Sequence, residues 1–263
     1  MAWWLRRWVG WMRWAWRQRG VRGAFELLLE RLSRPRRRVR VHPFDRAHGV
    51  ETSGVIDGGA LAVGQPHAEF ATFYQAVPPS RMRAVLARWG KTPGVLPVEA
   101  YAFVDVGCGK GRALLLASAL PWREVLGVEL DGGLAEVAEH NVARWVAAGR
   151  ARAPLRVVCG DAAKAELPQG PLVVYLFNPF QAPVLREFLQ RLQERGAPVE
   201  VLYLHPRQDW VFAEFPAFER LWRKEIRLAP EDVGVDVASR VLVCAAYRLR
   251  PVRARESDSV VAG

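Results

Sequence analysis

The chain has 263 residues, 51% of them hydrophobic, which is enough for one large domain with an appendage. Its formal net charge is +11, yet residues 1–40 alone hold twelve arginines against Glu26 and Glu30, a net +10, so the remaining 223 residues carry only +1 and the basic character belongs to a tail. Three cysteines, Cys108, Cys159 and Cys244, stand far apart without metal-ligand spacing, which excludes a disulfide-built or zinc-built fold and suits a reducing compartment.

The first 19 residues contain Trp3, Trp4, Trp8, Trp11, Trp14 and Trp16. At about 100° per residue, Trp4, Leu5, Trp8, Val9, Trp11, Met12, Ala15 and Trp16 share one helical face. Arg6, Arg13 and Arg17 fall opposite, and Trp3, Trp14 and Arg19 break the pattern. An amphipathic helix of this kind suits the surface of an anionic membrane. Packing on the protein itself or on a second copy, and binding to nucleic acid, are the alternatives. Arginines interrupt the segment, so it lacks the apolar run of ~18 residues that a span requires, and no small-residue cleavage site marks a signal peptide. Arg34–Pro35–Arg36–Arg37–Arg38 forms a basic hinge suited to phosphates of lipid or RNA. The expected location is cytoplasmic, peripheral at the inner face of the membrane.

Residues 41–97 form a lead-in. Its stretch 44–54 has no periodicity and reads as an ordered loop; Tyr74 and a helix over 79–89 follow. The core is expected over 98–250. Phe103–Val104–Asp105–Val106–Gly107–Cys108–Gly109–Lys110–Gly111 is an apolar strand that ends in an acid and enters a turn with alternate glycines. Glycine allows positive φ there and lets a ligand approach main-chain N–H groups, and the helix expected over 112–120 presents its positive end to that ligand. Further strands are expected over 125–130, ending near Glu129 and Leu130; over 155–162, ending at Asp161 and Ala162; and over 172–177, ending in Asn178–Pro179–Phe180. A helix over 132–148 separates the first two. A fifth strand spans 199–204, an antiparallel pair spans 218–228 and 240–249, and residues 251–263 are expected to be unstructured. Each acid has a plainer reading: Asp105 as a helix cap, Glu129 with Asp131 as another cap, and Asp161 as a turn former.

The spacing Asp105-x-Gly107-x-Gly109-x-Gly111 is not the dinucleotide fingerprint, because Arg112 fills the third glycine position. It resembles the first motif of class I S-adenosylmethionine (SAM)-dependent methyltransferases, and the resemblance covers residues 101–249. It implies an α/β fold: a doubly wound, mostly parallel seven-stranded sheet ordered 3-2-1-4-5-7-6, here with an N-terminal amphipathic helical extension. SAM is the implied cofactor. Asp105, Gly107, Cys108, Gly109 and Gly111 would hold it, Glu129 and Leu130 would meet the ribose, Asp161 and Ala162 the adenine, and Asn178 the reacting end. The lead-in, with Asp45–Arg46 and Gly49–Val50 before Thr52–Ser53–Gly54, is similar to that of a group of bacterial methyltransferases of unassigned substrate, and is expected to fold over the cofactor.

In amine-methylating relatives, an Asn/Asp-Pro-Pro-aromatic segment grips the target nitrogen through the amide oxygen and a following carbonyl. Asn178–Pro179–Phe180 has one proline where those have two. Asn178, Pro179 and Phe180 are the candidate substrate-binding residues, with Asn178 and Tyr74 as acceptor-positioning residues and Thr52 as a further contact. The expected acceptor is a nitrogen of a protein lysine or a small amine; an RNA methyltransferase with a basic arm and a non-catalytic adaptor are the alternatives. Lys110 and Arg112 could neutralise a carboxylate or face water. His205, after the fifth strand, could act as a base or be structural. No metal is expected.

Overall fold

A computed structural model describes residues 41–62, 64–232 and 239–249. The readings of residues 1–40 and 251–263 lie outside the described residues.

The lead-in contributes a small antiparallel pair, β1 (Val55–Ile56) and β2 (Tyr74–Gln75). The core is one seven-stranded sheet. Its strands are β3 (Ala102–Val106), β4 (Glu124–Glu129), β5 (Leu155–Cys159), β6 (Leu172–Phe177), β7 (Val199–Leu204), β8 (Phe218–Arg227) and β9 (Val241–Leu249). They lie in the order β5-β4-β3-β6-β7-β9-β8. Numbered from β3, this is the expected 3-2-1-4-5-7-6. The first five are parallel, and β9 runs antiparallel to both β7 and β8. β3, β6 and β7 are apolar at nearly every position and buried on both faces, as central parallel strands must be. The edge strand β8 instead carries Glu219, Arg220, Arg223, Lys224, Glu225 and Arg227 along its length, charges that discourage edge-to-edge pairing.

Side chains alternate between two cores. Val104, Val106, Leu172, Val174, Leu176 and Val201 pack against α5 (Ala182–Glu194) through Leu185, Phe188 and Leu189. Phe103, Val173, Tyr175 and Leu202 pack against α2 (Pro79–Trp89) through Met82, Val85 and Trp89. That second face also takes Leu114 of α3 (Arg112–Ala117) and Ala138 of α4 (Gly132–Ala147). Asp131 caps α4 by accepting Leu134 N–H at 2.9 Å.

Two local expectations change. The stretch 44–54 opens with a helix, α1 (Pro43–His48), rather than a loop. His42 Nδ1 accepts Phe44 N–H, Pro43 starts the first turn, and Gly49 at φ 66° ends it. Tyr74 precedes the helix over 79–89 as expected, in the two-residue strand β2 paired with β1. The helix expected over 112–120 stops at Ala117, where Trp122 Nε1 takes the Ala117 carbonyl at 2.9 Å and Ser118 Oγ turns back to Leu115 O at 2.8 Å.

Candidate functional site

The carboxyl ends of β3, β4 and β5 meet the lead-in at a cleft. Of the residues singled out in the sequence, Asp105, Gly107, Cys108, Glu129, Leu130, Asp161 and Ala162 line it, together with Tyr74, Pro179 and Phe180. Gly109, Gly111 and Asn178 do not. Leu61, Ala62 and the stretch 71–77 supply the covering wall. The position at the ends of parallel strands, beside the point where the order reverses, is where open α/β sheets bind ligands.

The three acids differ in state. Asp105 is 3% exposed, and its Oδ2 is buried without a hydrogen-bond partner. Burial, reinforced by the charge of Glu129, pushes its carboxyl well above the usual range. Glu129 Oε2 accepts Gly109 N–H at 2.7 Å and Oε1 accepts Asp131 N–H at 2.9 Å, so this side chain fastens the glycine turn to the end of β4. Burial still lifts its pKa to about 7 against those two donors. Asp161 Oδ1 accepts Ala163 N–H at 2.9 Å, and His67 Nδ1 stands 3.0 Å from Asp161 Oδ2.

The turn's glycines have the positive φ expected of them, but the main-chain N–H groups beside them are not left for a ligand. Gly107 and Cys108 N–H both donate to Val128 O, and Gly109 N–H goes to Glu129. Those donors are used inside the protein. What the glycines provide is room: a Cβ on Gly107 (φ 72°) would sit 2.6 Å from Pro179 Cβ, and one on Gly109 (φ 56°) 2.2 Å from the Tyr74 ring. Tyr74 therefore lies close against the turn. Its hydroxyl donates to Thr52 O, and burial raises its pKa, so the group is a fixed donor. Cys108 has its thiol pushed well up by burial, then by Asp105 and Glu129, the opposite of what a thiolate nucleophile requires.

Arg112 and Thr52 are interior. Thr52 is fully buried and Arg112 is 4% exposed. Asp45 accepts from the Thr52 hydroxyl, from Thr52 N–H and Ser53 N–H at 2.7 Å each, and from Ser53 Oγ at 2.7 Å. Arg112 Nη2 lies 3.2 Å from Asp45 Oδ1, and Arg112 Nε donates to Thr52 Oγ1 at 2.6 Å. The lead-in motif is thus a knot around Arg112. Asp45 belongs to the lead-in motif read from the sequence, but its pairing with Arg112 carried no local signal. Lys110 Nζ is paired with Glu51 Oε1 at 2.7 Å.

Asn178 has a left-handed backbone, φ 47°, and Tyr203 donates its hydroxyl to Asn178 Oδ1 at 3.1 Å. The Thr72 hydroxyl donates to Asn178 O, and Thr72 N–H donates to Pro179 O at 3.1 Å. Gln181 N–H in turn reaches Phe70 O at 3.0 Å, and Ala71 forms a bridge with Phe180. The Asn178 amide oxygen and the Asn178 and Pro179 carbonyls therefore each already accept one hydrogen bond from the protein and keep one lone pair. His205 Nε2 accepts from Arg207 Nε at 3.0 Å, and His205 is not in the cleft wall; burial and the charges of Arg207 and Arg81 lower its pKa.

The order and direction of the strands decide the architecture. The chain has the class I methyltransferase fold. No family model and no curated protein matches it. Solved structures do. TrmN from Thermus thermophilus is 16% identical, with a TM-score of 0.46, over 66% of this chain and 49% of its own, so the match spans about half of TrmN. Magnesium protoporphyrin IX methyltransferase (ChlM) from Synechocystis, solved with bound SAM, is 14% identical at a TM-score of 0.42, covering 63% of this chain and 75% of its own. An uncharacterized protein from Listeria monocytogenes serotype 4b is 11% identical at 0.47, covering 69% and 72%. No helix among the described residues is long and apolar enough to cross a membrane.

Proposed function

We propose that this chain is a SAM-dependent methyltransferase whose cofactor lies across the ends of β3, β4 and β5. The observation that carries the reading is Asp105: a buried carboxylate oxygen without a partner, lining a cleft between two further acids. Such an atom calls for a donor, best a cation. The methionyl ammonium supplies one, and Glu129 and Asp161 retain lone pairs for ribose hydroxyls and an adenine amine. Leu130, Ala162 and Phe180 give a flat base apolar walls.

The cofactor supplies an activated methyl group on a sulfonium. The protein's own work is to bind, align and exclude water. Leu61, Ala62 and residues 71–77 cover the cleft, and the Asp45–Arg112 knot holds the start of that covering segment against the turn. A nitrogen of a lysine or small amine remains our reading of the acceptor, supported by the Asn178–Pro179–Phe180 strand end. The Asn178 and Pro179 oxygens each accept one hydrogen bond, from Tyr203 or Thr72, and such a nitrogen would use the lone pair each retains. Residues 1–40 are the arm that brings the enzyme to an anionic surface, lipid before RNA.

Calorimetric titration with SAM and S-adenosylhomocysteine tests the reading. Micromolar binding is expected, weakened at least tenfold by Asp105→Ala and by Glu129→Ala. Absence of binding by folded protein would overturn it and leave the adaptor reading standing.

A further inference from the structure

The cleft extends over β6, beyond the strands assigned to the cofactor. On the α2 side its walls there are Val77, Tyr175 and Phe177, with Phe73 at the rim. Tyr175 is 1% exposed, and its hydroxyl is buried without a hydrogen-bond partner among the described residues. It pairs in register with Asp105 on β3. Burial, then the charge of Asp105, push this phenol well above its ordinary value, so it stays a neutral hydroxyl. The other titrating side chains of the wall are engaged elsewhere. Asp105, Glu129 and Asp161 face the cofactor, His67 stands beside Asp161, and Arg112 is paired with Asp45. Among the described residues, none of the walls over β6 carries a charge. One side of the cleft is also bonded shut. Thr72 N–H reaches Pro179 O at 3.1 Å, Gln181 N–H reaches Phe70 O at 3.0 Å, the Thr72 hydroxyl donates to Asn178 O, and Ala71 bridges to Phe180. Phe73, next in the chain, is 39% exposed and makes the lip apolar.

We propose that the wing over β6 is a pocket for a small, flat acceptor, an amine conjugated to a ring, held by a hydrogen bond from the Tyr175 hydroxyl to a neutral oxygen on the same molecule. The inference rests on reading the cleft as a SAM site, and it selects the small amine over the lysine side chain. Size is set by the bonds between residues 70–72 and the loop after β6, which a polymer would have to part and a small molecule need not. Charge is set by the walls. A lysine ammonium keeps its proton up to a pH of about 10, and burying it among Val77, Phe177 and a phenol would leave it unpaired. An amine conjugated to a ring is already neutral at neutral pH, and its flat body suits apolar walls. No base is then required. The nitrogen lone pair forms the new bond to the methyl carbon as the carbon–sulfur bond breaks with its electrons to sulfur, and the weakly basic ammonium so formed gives its proton to water. Tyr175 is the polar atom that orients the ring, because an unmet buried hydroxyl favours a ligand that accepts from it.

The test is calorimetric titration of the full chain, saturated with S-adenosylhomocysteine, with the 2-, 3- and 4-aminobenzamides, the matching ethylanilines and n-butylamine, each at millimolar concentration. At least one aminobenzamide is expected to bind about tenfold or more tightly than n-butylamine, which is charged at neutral pH. Tyr175→Phe should weaken that aminobenzamide about fivefold, the size of one neutral hydrogen bond. The ethylaniline of the same substitution has no carbonyl, and its affinity should not change. Three results would overturn the proposal: n-butylamine binding as tightly as the rings, Tyr175→Phe weakening both ring series equally, or no ring binding at all. Failure of the wild-type protein to bind S-adenosylhomocysteine is a separate outcome, which would overturn the cofactor reading and this proposal with it.

Discussion

Arg112 and Asp45, 67 residues apart in the chain, form an ion pair buried on both sides at the joint between the lead-in and the helix that follows the glycine turn. Two desolvated charges are costly unless each is fully met. Here Asp45 also takes four hydrogen bonds from Thr52 and Ser53, so the knot is complete on the carboxylate side. Removing one partner strands the other. Arg112→Ala is expected to cost about 3–5 kcal/mol, read as a lower midpoint in urea unfolding, with Asp45→Ala of similar size. A double-mutant cycle should give strong non-additivity; additive losses would mean that the pair contributes nothing as a pair.

The same carboxylate sets an acid limit. Burial alone would raise the pKa of Asp45, but the Thr52 hydroxyl, the Arg112 charge and the Ser53 hydroxyl outweigh it and hold the value below 3.8. A folded pKa below the unfolded one gives stability that is present above the unfolded value and is lost as pH falls through the folded one. Unfolding free energy should therefore drop steeply below pH 3.8, and Asp45→Asn should flatten that part of the curve. An unchanged slope in the variant would assign the acid limit elsewhere.

Glu129 works in the other direction. Its folded pKa, raised by burial from 4.5 to about 7, gives stability that is full below 4.5 and is lost as pH rises through 7. The effect is on the order of 3 kcal/mol. Thermal melts of the ligand-free protein should show falling Tm between about pH 5 and 8, and Glu129→Gln should reduce the slope, leaving the part that the buried Asp105 contributes in the same direction. A Tm that rises over this interval in wild-type protein would contradict the assignment.

Gly109 and Tyr74 occupy space that admits no Cβ between them. Gly109→Ala would drive its methyl to 2.2 Å from the Tyr74 ring while adopting φ 56°. The ring must leave the turn, taking its hydrogen bond to Thr52 O with it. The expected loss is about 1–3 kcal/mol of stability and at least tenfold in S-adenosylhomocysteine affinity. Unaltered affinity would show that the ring's seat on the turn is not needed for binding.

The cysteines provide a simple check of burial. Cys108 and Cys244 are buried, with thiols raised by that burial, whereas Cys159 is exposed. Brief alkylation of folded protein at about pH 8, where thiolate begins to form, should modify Cys159 and spare the other two until denaturant is added, as read by peptide mass spectrometry. Early labelling of Cys108 would mean that the turn opens readily.

The architecture was legible in the sequence because it rests on periodic, fully apolar strands. Leu172–Phe177 and Val199–Leu204 match the expected bounds, and β8 and β9 pair antiparallel as expected. The strand-end acids were legible for the same reason, each closing an apolar run. Two things were not. The function of Asp45, Thr52, Ser53 and Arg112 depends on contacts made across 59 to 67 residues, which no local pattern encodes. The engagement of Asn178 by Tyr203 and Thr72 was hidden as well, because a motif states which atoms could receive a substrate and not which of them the chain itself also uses. α1 escaped notice because six residues with caps at both ends are too few to display a period.

The knot around Arg112 also bears on the order in which the molecule assembles. Residues 45–53 leave the ribosome well before Arg112, and Asn141, which holds both Glu51 N–H and Glu51 O, is made later still. Until those residues exist, the lead-in has only the bonds within itself, those of Thr52 and Ser53 to Asp45 among them. Its docking on the core awaits the centre of the sheet and its first helices. Such a delay, set by long-range contacts, would leave the cleft without its cover on the nascent chain, so that a ligand can be enclosed as the protein finishes folding rather than threaded in afterwards. Pulse-labelled hydrogen exchange during refolding should find residues 45–53 protected after β3 and β6; simultaneous protection would argue for one concerted step.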